Sequence, residues 1–223
     1  MKLSVIITAG GMGRRMKNKH PKQFHLLHNK PVLMHTIQRF YDVDNSMEIN
    51  ASLPKQYIDH WKELCKDYNF KIPHRIVAGG KERYHSIKNA LVETNGDVIL
   101  VHDAVRPLVD AKTILRVIEK TQQKGNAIPV TAVHQSLRKG TMDINTPQNR
   151  SDFWMVQTPQ GFQRKVLIKA YTNSYSDKIT DDASLLDLNN ENVYLTSGNE
   201  ENIKITTPVD LKYAEFLLNR KTE

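Results

Sequence analysis

Apolar runs and amphipathic segments alternate along the first 133 residues, and this order restricts the possible folds more than any other feature of the sequence. Each apolar run is short and rich in β-branched residues, which predicts a buried strand. The predicted strands cover residues 3–8, 47–53, 74–80, 97–103 and 126–133. The segments between them have apolar residues at helical spacing and predict helices over 30–43, 54–70, 83–93 and 111–125. Strict alternation predicts an α/β fold, a Rossmann-like, mostly parallel sheet with helices on both faces.

The alternation stops after residue 133. Residues 134–162 place glycine and proline between short alternating pieces, which predicts a β-hairpin arm over about 134–158. Several apolar side chains of this segment need a second surface to bury against, so we expect a homodimer formed through the arm. They are Met142, Ile144, Phe153 and Trp154.

The chain after the arm predicts a return to the core. We expect helices over 162–175 and 180–188, followed by strands in "VYLT" (193–196) and "NIKIT" (202–206). A final helix should begin with Thr207 as its N-cap, because a proline occupies the next position.

The bulk composition excludes several classes of protein. No apolar run reaches the roughly 18 residues of a membrane-spanning helix, and the single cysteine, Cys65, excludes an internal disulfide and a cysteine-based zinc site. We therefore expect a cytoplasmic protein with no membrane partner. The net charge of +8 favours an anionic partner: nucleic acid, a membrane surface or a phosphorylated small molecule. Because the cations stand singly at predicted loop positions, phosphate groups in a cleft are favoured over nucleic acid.

A glycine-rich loop, "AGGMGRR" (residues 9–15), directly follows the first predicted strand. Glycine lets backbone N–H groups approach a phosphate closely, because a Cβ atom would block the approach or the required backbone conformation. Arg14, Arg15 and Lys22 add full positive charges beside these amides. The spacing matches neither the Walker A motif nor GxGxxG, since Met16 stands where the third glycine would be. The loop and its cations together favour a nucleoside triphosphate.

Two further segments, "GGKER" (79–83) and "HDAVRP" (102–107), also lie at predicted strand ends. Ligands of parallel sheets bind beyond the carboxyl ends of the strands. We therefore expect these segments and the glycine-rich loop to form one cleft, although they are distant in sequence.

Other polar residues have simpler structural interpretations. We expect His102 to be buried and hydrogen-bonded rather than catalytic. Asp181 and Asp182 are expected in the first turn of a helix capped by Thr180. The sequence leaves open whether they also support the residues that contact the ligand. Three loop histidines have no acidic residue or cysteine near them in the sequence, so we expect no zinc site there. They are His20, His25 and His28.

Six motifs occur in order along the chain, and together they resemble the 2-C-methyl-D-erythritol 4-phosphate cytidylyltransferase family. The motifs are "AGGMGRRM…PKQF", "GGKERYHSI", "VHDAVRP", "WMVQTPQGF", "TDDAS" and "NIKITTPVDL". The resemblance covers residues 3 to about 218 and implies a single nucleotidyltransferase domain over 1–223. It implies transfer of CMP from CTP to methylerythritol phosphate, with release of pyrophosphate, in isoprenoid precursor synthesis. Ribitol-5-phosphate cytidylyltransferases share most of the motifs and stay an alternative; a nucleic-acid-binding module is a distant one.

The resemblance also implies the residues of the site. Catalytic cations that stabilise the transition state would be Arg15, Lys22 and Lys204. CTP would be bound by Ala9, Gly10, Gly11, Met12, Gly13, Gly80 and Ser86. The acceptor would be bound by Asp103, Arg106, Ser136, Thr158 and Arg150, the last from the neighbouring subunit. Mg²⁺ would be the cofactor and would be held mainly by phosphate oxygens, so no metal-ligating residues are predicted.

Overall fold

The computed structural model of the protein describes residues 1–10 and 21–220. Its strands are β1 Leu3–Thr8, β2 Leu26–Leu27, β3 Lys30–Pro31, β4 Glu48–Leu53, β5 Arg75–Ala78, β6 Val98–Asp103, β7 Asn126–Ala132, β8 Leu137–Gly140, β9 Asn145–Gln148, β10 Trp154–Val156, β11 Gln160–Gln163 and β12 Leu195–Ser197. Its α-helices are α1 Val32–Val43, α2 Ile58–Asp67, α3 Arg83–Val92, α4 Ala111–Lys124, α5 Arg164–Ala170, α6 Ser184–Asp187 and α7 Pro208–Asn219. Single 3-10 turns occupy Lys22–Phe24, Lys55–Tyr57 and Arg150–Asp152.

The central sheet is mixed but mostly parallel, which confirms the predicted α/β fold. Its strand order is β10-β7-β11-β6-β1-β4-β5, with β12 also paired to β7. The strands β6, β1, β4 and β5 are mutually parallel. From β1 the chain first adds β4 and β5 on one side and then crosses to place β6 on the other. The order of the strands therefore reverses between β1 and β6, where ligands bind in sheets of this type.

Helices cover both faces of the sheet, because successive side chains of a buried strand point to opposite sides. In β1, Val5 and Ile7 pack in the cluster that contains Phe40 of α1 and Trp61 of α2. Ile6, between them, packs in the opposite cluster with residues of α3 and α5. This two-sided burial explains why the strand is a continuous apolar run rather than an alternating one.

The helix ends follow the signals in the sequence. The side chain of Asp110 accepts a hydrogen bond from Thr113 N at the start of α4, and Gly125 ends that helix with a φ of 92°. Thr207 and Asp210 form a reciprocal capping box around Pro208 at the start of α7, as predicted for Thr207. The predicted helix over 54–70 begins instead with a 3-10 turn, and α2 proper starts at Ile58.

The arm contains the predicted hairpin. Strands β8 and β9 pair antiparallel, and β10 then pairs antiparallel with β7 at the edge of the central sheet. Apolar side chains of this region are exposed in the single chain, among them Met142 (96%) and Ile144 (82%).

Two further predicted elements differ in the structure. The stretch 202–206 was expected to be a strand but does not form one; it is held by backbone bonds, among them Ile205 N to Val105 O, and by bonds of the Asn202 side chain. The helix predicted over 162–175 begins only at Arg164, because residues 160–163 form β11. This strand lies antiparallel between β6 and β7, so two strands that follow each other in the predicted order are not paired directly.

Within the described ranges, the helices are all too short or too polar to cross a membrane.

Candidate active site

A cleft of about 510 Å³ opens at the carboxyl ends of β1 and β6, where the strand order reverses. The end of β1, the turn before α3 and the end of β6 all contribute to its wall, as the sequence predicted. Its described lining residues are Thr8, Ala9, Gly10, Lys22, Gln23, Gly80, Lys81, Glu82, Arg83, Ser86, Asp103, Ala104, Val105 and Lys204. Four cationic side chains against two carboxylates make the described part of the wall net positive, which suits a polyanionic ligand.

The last residue of β6, Asp103, is the centre of a charge cluster. Lys204 Nζ lies 2.9 Å from its Oδ2, and Arg106 Nε lies 3.3 Å from the same oxygen. Arg83 Nε lies 3.8 Å from Oδ1. Burial alone would raise the pKa of this carboxyl, but the charges of the three neighbouring cations outweigh burial and hold the pKa well below its ordinary value. Asp103 is therefore an anion that aligns cations from three distant segments of the chain.

A buried hydrogen-bond relay holds Asp103 in place. His102 Nε2 lies 3.1 Å from the carbonyl oxygen of Arg106, which can only accept, so Nε2 carries the proton. Burial lowers the pKa of His102 to about 4, so the ring is neutral and its Nδ1 accepts a hydrogen bond from Thr158 Oγ1 at 3.0 Å. Thr158 Oγ1 in turn accepts from Asp103 N at 3.1 Å. The prediction that His102 is buried and hydrogen-bonded is confirmed.

This relay bears on the predicted role of Thr158. Its hydroxyl group donates to His102 and accepts from Asp103 within the fold, and the residue is 6% exposed. The structure thus gives Thr158 a part in holding Asp103, whereas its contact with an acceptor phosphate stays a prediction.

The segment that contains Lys204 is attached to the same cluster through Asn202. Arg106 Nη1 donates to Asn202 O at 2.6 Å, and Asn202 Nδ2 donates to Thr158 O at 2.8 Å. Arg106 is thereby held between Asp103 and the C-terminal segment, behind the cleft rather than on its surface.

Hydrogen bonds hold the turn that forms the predicted nucleotide rim. Gly80 N donates to Ser86 Oγ at 3.0 Å, and Ser86 Oγ donates to Glu82 O at 3.1 Å. A Cβ atom on Gly80 would collide with the Cβ of His85, so only glycine fits this turn. Gly80 and Ser86 both line the cleft, and their predicted contact with CTP stays a prediction.

Two residues of the cleft were not singled out from the sequence. Gln23 is buried and its Nε2 donates to Ala9 O at 2.6 Å, which holds the end of β1 against the turn that contains Lys22. Arg83 lies between Asp103 and the buried Asp182. Arg83 begins α3, where the helix dipole disfavours a cation, and that position is a signal that could have identified it.

The predicted site residues therefore separate into four groups, of which Arg106 and Thr158, behind the cleft around Asp103, are the first. The cleft brings together Ala9, Gly10, Lys22, Gly80, Ser86, Asp103 and Lys204. Ser136 and Arg150 are exposed on the arm, where Arg150 Nη1 donates to His134 O at 2.6 Å. The predicted residues outside the described part of the chain are Gly11, Met12, Gly13 and Arg15.

The turn before α6 corrects one prediction. Thr180 was expected to cap this helix, but Asp181 Oδ1 accepts the hydrogen bond from Ser184 N at 2.9 Å. Asp182 is fully buried and faces Arg83.

Taken together, these groups can bind and align anions. The described lining includes no serine, cysteine or threonine placed beside a histidine, so the wall is equipped to stabilise negative charge rather than to activate a side-chain nucleophile.

Comparison with known proteins gives consistent matches over nearly the whole chain. The family model for 2-C-methyl-D-erythritol 4-phosphate cytidylyltransferase matches residues 3–220. The chain is 45% identical over 219 residues to the enzyme of that name from Phocaeicola vulgatus, covering 98% of this chain and 100% of the relative. It is 40% identical to that of Clostridioides difficile, covering 97% and 93%. The solved structure of the Francisella tularensis enzyme superposes with a TM-score of 0.80 at 31% identity, covering 97% and 99%.

Proposed function

Because the chain belongs to the 2-C-methyl-D-erythritol 4-phosphate cytidylyltransferase family, we propose that it transfers CMP from CTP to 2-C-methyl-D-erythritol 4-phosphate and releases pyrophosphate. This reaction belongs to isoprenoid precursor synthesis. The observation that carries the proposal is the cationic cleft at the carboxyl ends of β1 and β6, built around Asp103. Family membership favours this acceptor over ribitol 5-phosphate, and it favours an enzyme over a nucleic-acid-binding module.

The chemistry of the reaction explains why a cationic wall is sufficient for catalysis. The attacking group is a phosphate oxygen of the acceptor, which is ionised near neutral pH and needs no general base. It forms a bond to the α-phosphorus of CTP while the bond from that phosphorus to the bridging oxygen breaks and pyrophosphate leaves. The barrier comes from repulsion between two anions, so positioned positive charge is the effective catalyst.

The cations of the cleft have distinct proposed roles. Lys22 and Arg15 would stabilise the charge that develops around the α-phosphorus, and Lys204 would reach the reacting phosphates from the C-terminal segment. Lys204 is 42% exposed at its side chain and is paired with Asp103 on one side, so it is aligned and still accessible. Asp103 would bind the hydroxyl groups of the acceptor, and Arg106, which was predicted to share this role, would hold Asp103 from behind the cleft.

The donor set of the cleft fits a magnesium ion that is bound mainly by CTP. Among the described residues, no group of three or more His, Cys, Asp or Glu side chains is arranged to hold a metal ion. Both oxygens of Asp103 face cations, and Glu82 is exposed at the rim. Mg²⁺ would be held by phosphate oxygens, as this ion prefers, and would neutralise charge on the triphosphate and the departing pyrophosphate.

We further propose that the protein acts as a homodimer through the arm. The exposed apolar side chains of the arm continue onto β10, where Trp154 is 52% exposed, and pairing would remove this surface from water. Arg150 would then bind the acceptor phosphate in the partner's cleft. The expected cytoplasmic location stays a prediction.

The proposed activity is tested by incubating the protein with CTP, Mg²⁺ and each candidate acceptor while pyrophosphate release is measured. We expect release with methylerythritol phosphate and little with ribitol 5-phosphate. Methylerythritol without its phosphate is the matched control and should give no release, because the nucleophile is missing. No release with any sugar-alcohol phosphate would contradict the proposal.

A further inference from the structure

Arg83 occupies a position that is unfavourable without compensation. It is the first residue of α3, where the helix dipole places positive charge, and its half-buried side chain lines the cleft. A cation in this place needs a fixed anion nearby. The structure supplies two, Asp103 on the cleft side and Asp182 behind it.

Asp182 binds Arg83 through both of its oxygens. Arg83 Nη1 donates to Oδ1 at 3.0 Å and Nη2 donates to Oδ2 at 2.5 Å, a bidentate arrangement that determines the plane of the guanidinium. Tyr171 OH also donates to Oδ1 at 2.6 Å, and Asp182 has no exposed surface. Because the terminal nitrogens are engaged, only Nε faces Asp103, at 3.8 Å from its Oδ1.

The position of Asp182 is determined by the central sheet. The side-chain oxygen of Gln160, in β11, accepts from Asp182 N at 3.1 Å and from Ala183 N at 3.0 Å. β11 pairs directly with β6, the strand that ends at Asp103. The contacts therefore connect β11, the Asp182 turn, Arg83 and Asp103.

We propose that Asp182 is a positioning residue that restrains Arg83, so that Oδ1 of Asp103 stays available for the acceptor's hydroxyl groups. This inference rests on the proposed function, and it deepens it by adding a residue from outside the cleft. Lys204 and Arg106 both contact Oδ2, which leaves Oδ1 as the oxygen that Arg83 controls. Without the carboxylate of Asp182, the guanidinium would shift onto Asp103 and compete with the acceptor.

The test compares Asp182→Asn with Asp187→Asn in steady-state assays of the protein, varying CTP and methylerythritol phosphate separately. Asp187 is the matched control because it is an aspartate of the neighbouring helix α6 with an exposed side chain. We expect Asp182→Asn to raise KM for the acceptor roughly tenfold or more, with less than about threefold change in KM for CTP. Asp187→Asn should leave both constants near wild type.

A double-mutant cycle separates positioning from general loosening of the fold. If Asp182 acts through Arg83, then Asp182→Asn should have little further effect on the acceptor KM in an Arg83→Gln background. If Asp182→Asn does not fold, the double variant Arg83→Gln/Asp182→Asn still tests the inference, because removing both charges leaves neither of them unpaired. The KM of this double variant for the acceptor should equal that of Arg83→Gln. Thermal melting is recorded for every variant.

The possible results are distinct. Three results would overturn the inference while the proposed function stands. The first is an equal increase in both KM values that follows the loss of melting temperature, and the second is additive effects in the cycle. The third is an Asp182→Asn enzyme with unchanged constants. A wild-type protein that releases no pyrophosphate would overturn the proposed function and this inference with it.

Discussion

Asp103 illustrates how one buried carboxylate organises a site. Its charge holds Lys204, Arg106 and Arg83, which are supplied by the C-terminal segment, the turn after β6 and the start of α3. Without the charge of Asp103, these three cations would repel one another. The anion at the centre lets them gather where the triphosphate is proposed to bind, and a neutral His102 beside it adds no further positive charge.

At this scale, the catalytic role proposed for Lys22 can be tested directly. Lys22→Ala should lower kcat by about 100-fold or more, because one preorganised positive group at the reacting phosphate is typically worth that much. KM for CTP should change far less, since the other cations still bind the triphosphate. Steady-state kinetics measure both constants. Lys62→Ala, a surface lysine paired with Asp59, is the control; wild-type kcat in Lys22→Ala would contradict the role.

His102 should make stability depend on pH. In the unfolded chain a histidine takes up a proton near pH 6.5, whereas burial holds the pKa of His102 to about 4 in the fold. The unfolded state therefore binds more protons between these values, and the free energy of unfolding should fall as pH decreases. From pH 7 to pH 5 the loss from this residue is about 2 kcal/mol. His35 and His74, whose pKa values burial also lowers, contribute with the same sign.

Urea unfolding at pH 7 and pH 5 checks this expectation. His102→Gln should be less stable at pH 7, because the relay is altered, but its stability should change less between the two pH values. His134→Gln, on the exposed arm, should keep the wild-type difference. An unchanged pH dependence in His102→Gln would show that the proton uptake belongs to other groups.

At the scale of elements, β11 has more effect on the site than its four residues suggest. It inserts antiparallel between β6 and β7, and its Gln160 orders the Asp182 turn. Packing of α4 against this strand requires a residue without a side chain at Gly161. A Cβ atom there would collide with Thr121 Oγ1 and would lie 2.7 Å from Val117 Cγ1.

Gly161→Ala should therefore destabilise the protein by about 1–3 kcal/mol, because α4 must move away from the sheet. Denaturant unfolding measures the change. The double variant Gly161→Ala/Thr121→Ala removes the nearest colliding atom, and it should recover part of the loss relative to the single variant. A Gly161→Ala protein as stable as wild type would mean that α4 does not pack as closely as described.

At the scale of the whole molecule, the arm is the feature whose apolar surface a single chain leaves exposed. It extends from β7 and returns through β10, and Arg150 lies on it, apart from the residues that line the chain's own cleft. The proposed dimer would explain both its apolar surface and the position of Arg150.

Mixing inactive chains tests whether sites are shared between subunits. Arg150→Ala and Lys22→Ala homodimers should each have low activity, whereas mixed dimers should regain some, because one of their two sites keeps both residues. Activity is measured after refolding the chains together, with mixed dimers verified by differential tags. Arg150→Ala mixed with itself is the control, and verified mixed dimers without recovery would argue against sharing.

The sequence alone determined the layered α/β fold and the place of the cleft, because hydrophobic periodicity and helix caps act over a few neighbouring residues. It also placed Gly80 and Asp103 at strand ends, and strand ends of a parallel sheet meet at one edge. Only the tertiary structure showed that β11 separates β6 from β7 and that Asp182 holds Arg83. Arg83 and Asp182 are 99 positions apart in the chain, and such contacts depend on three-dimensional packing that local sequence patterns do not encode.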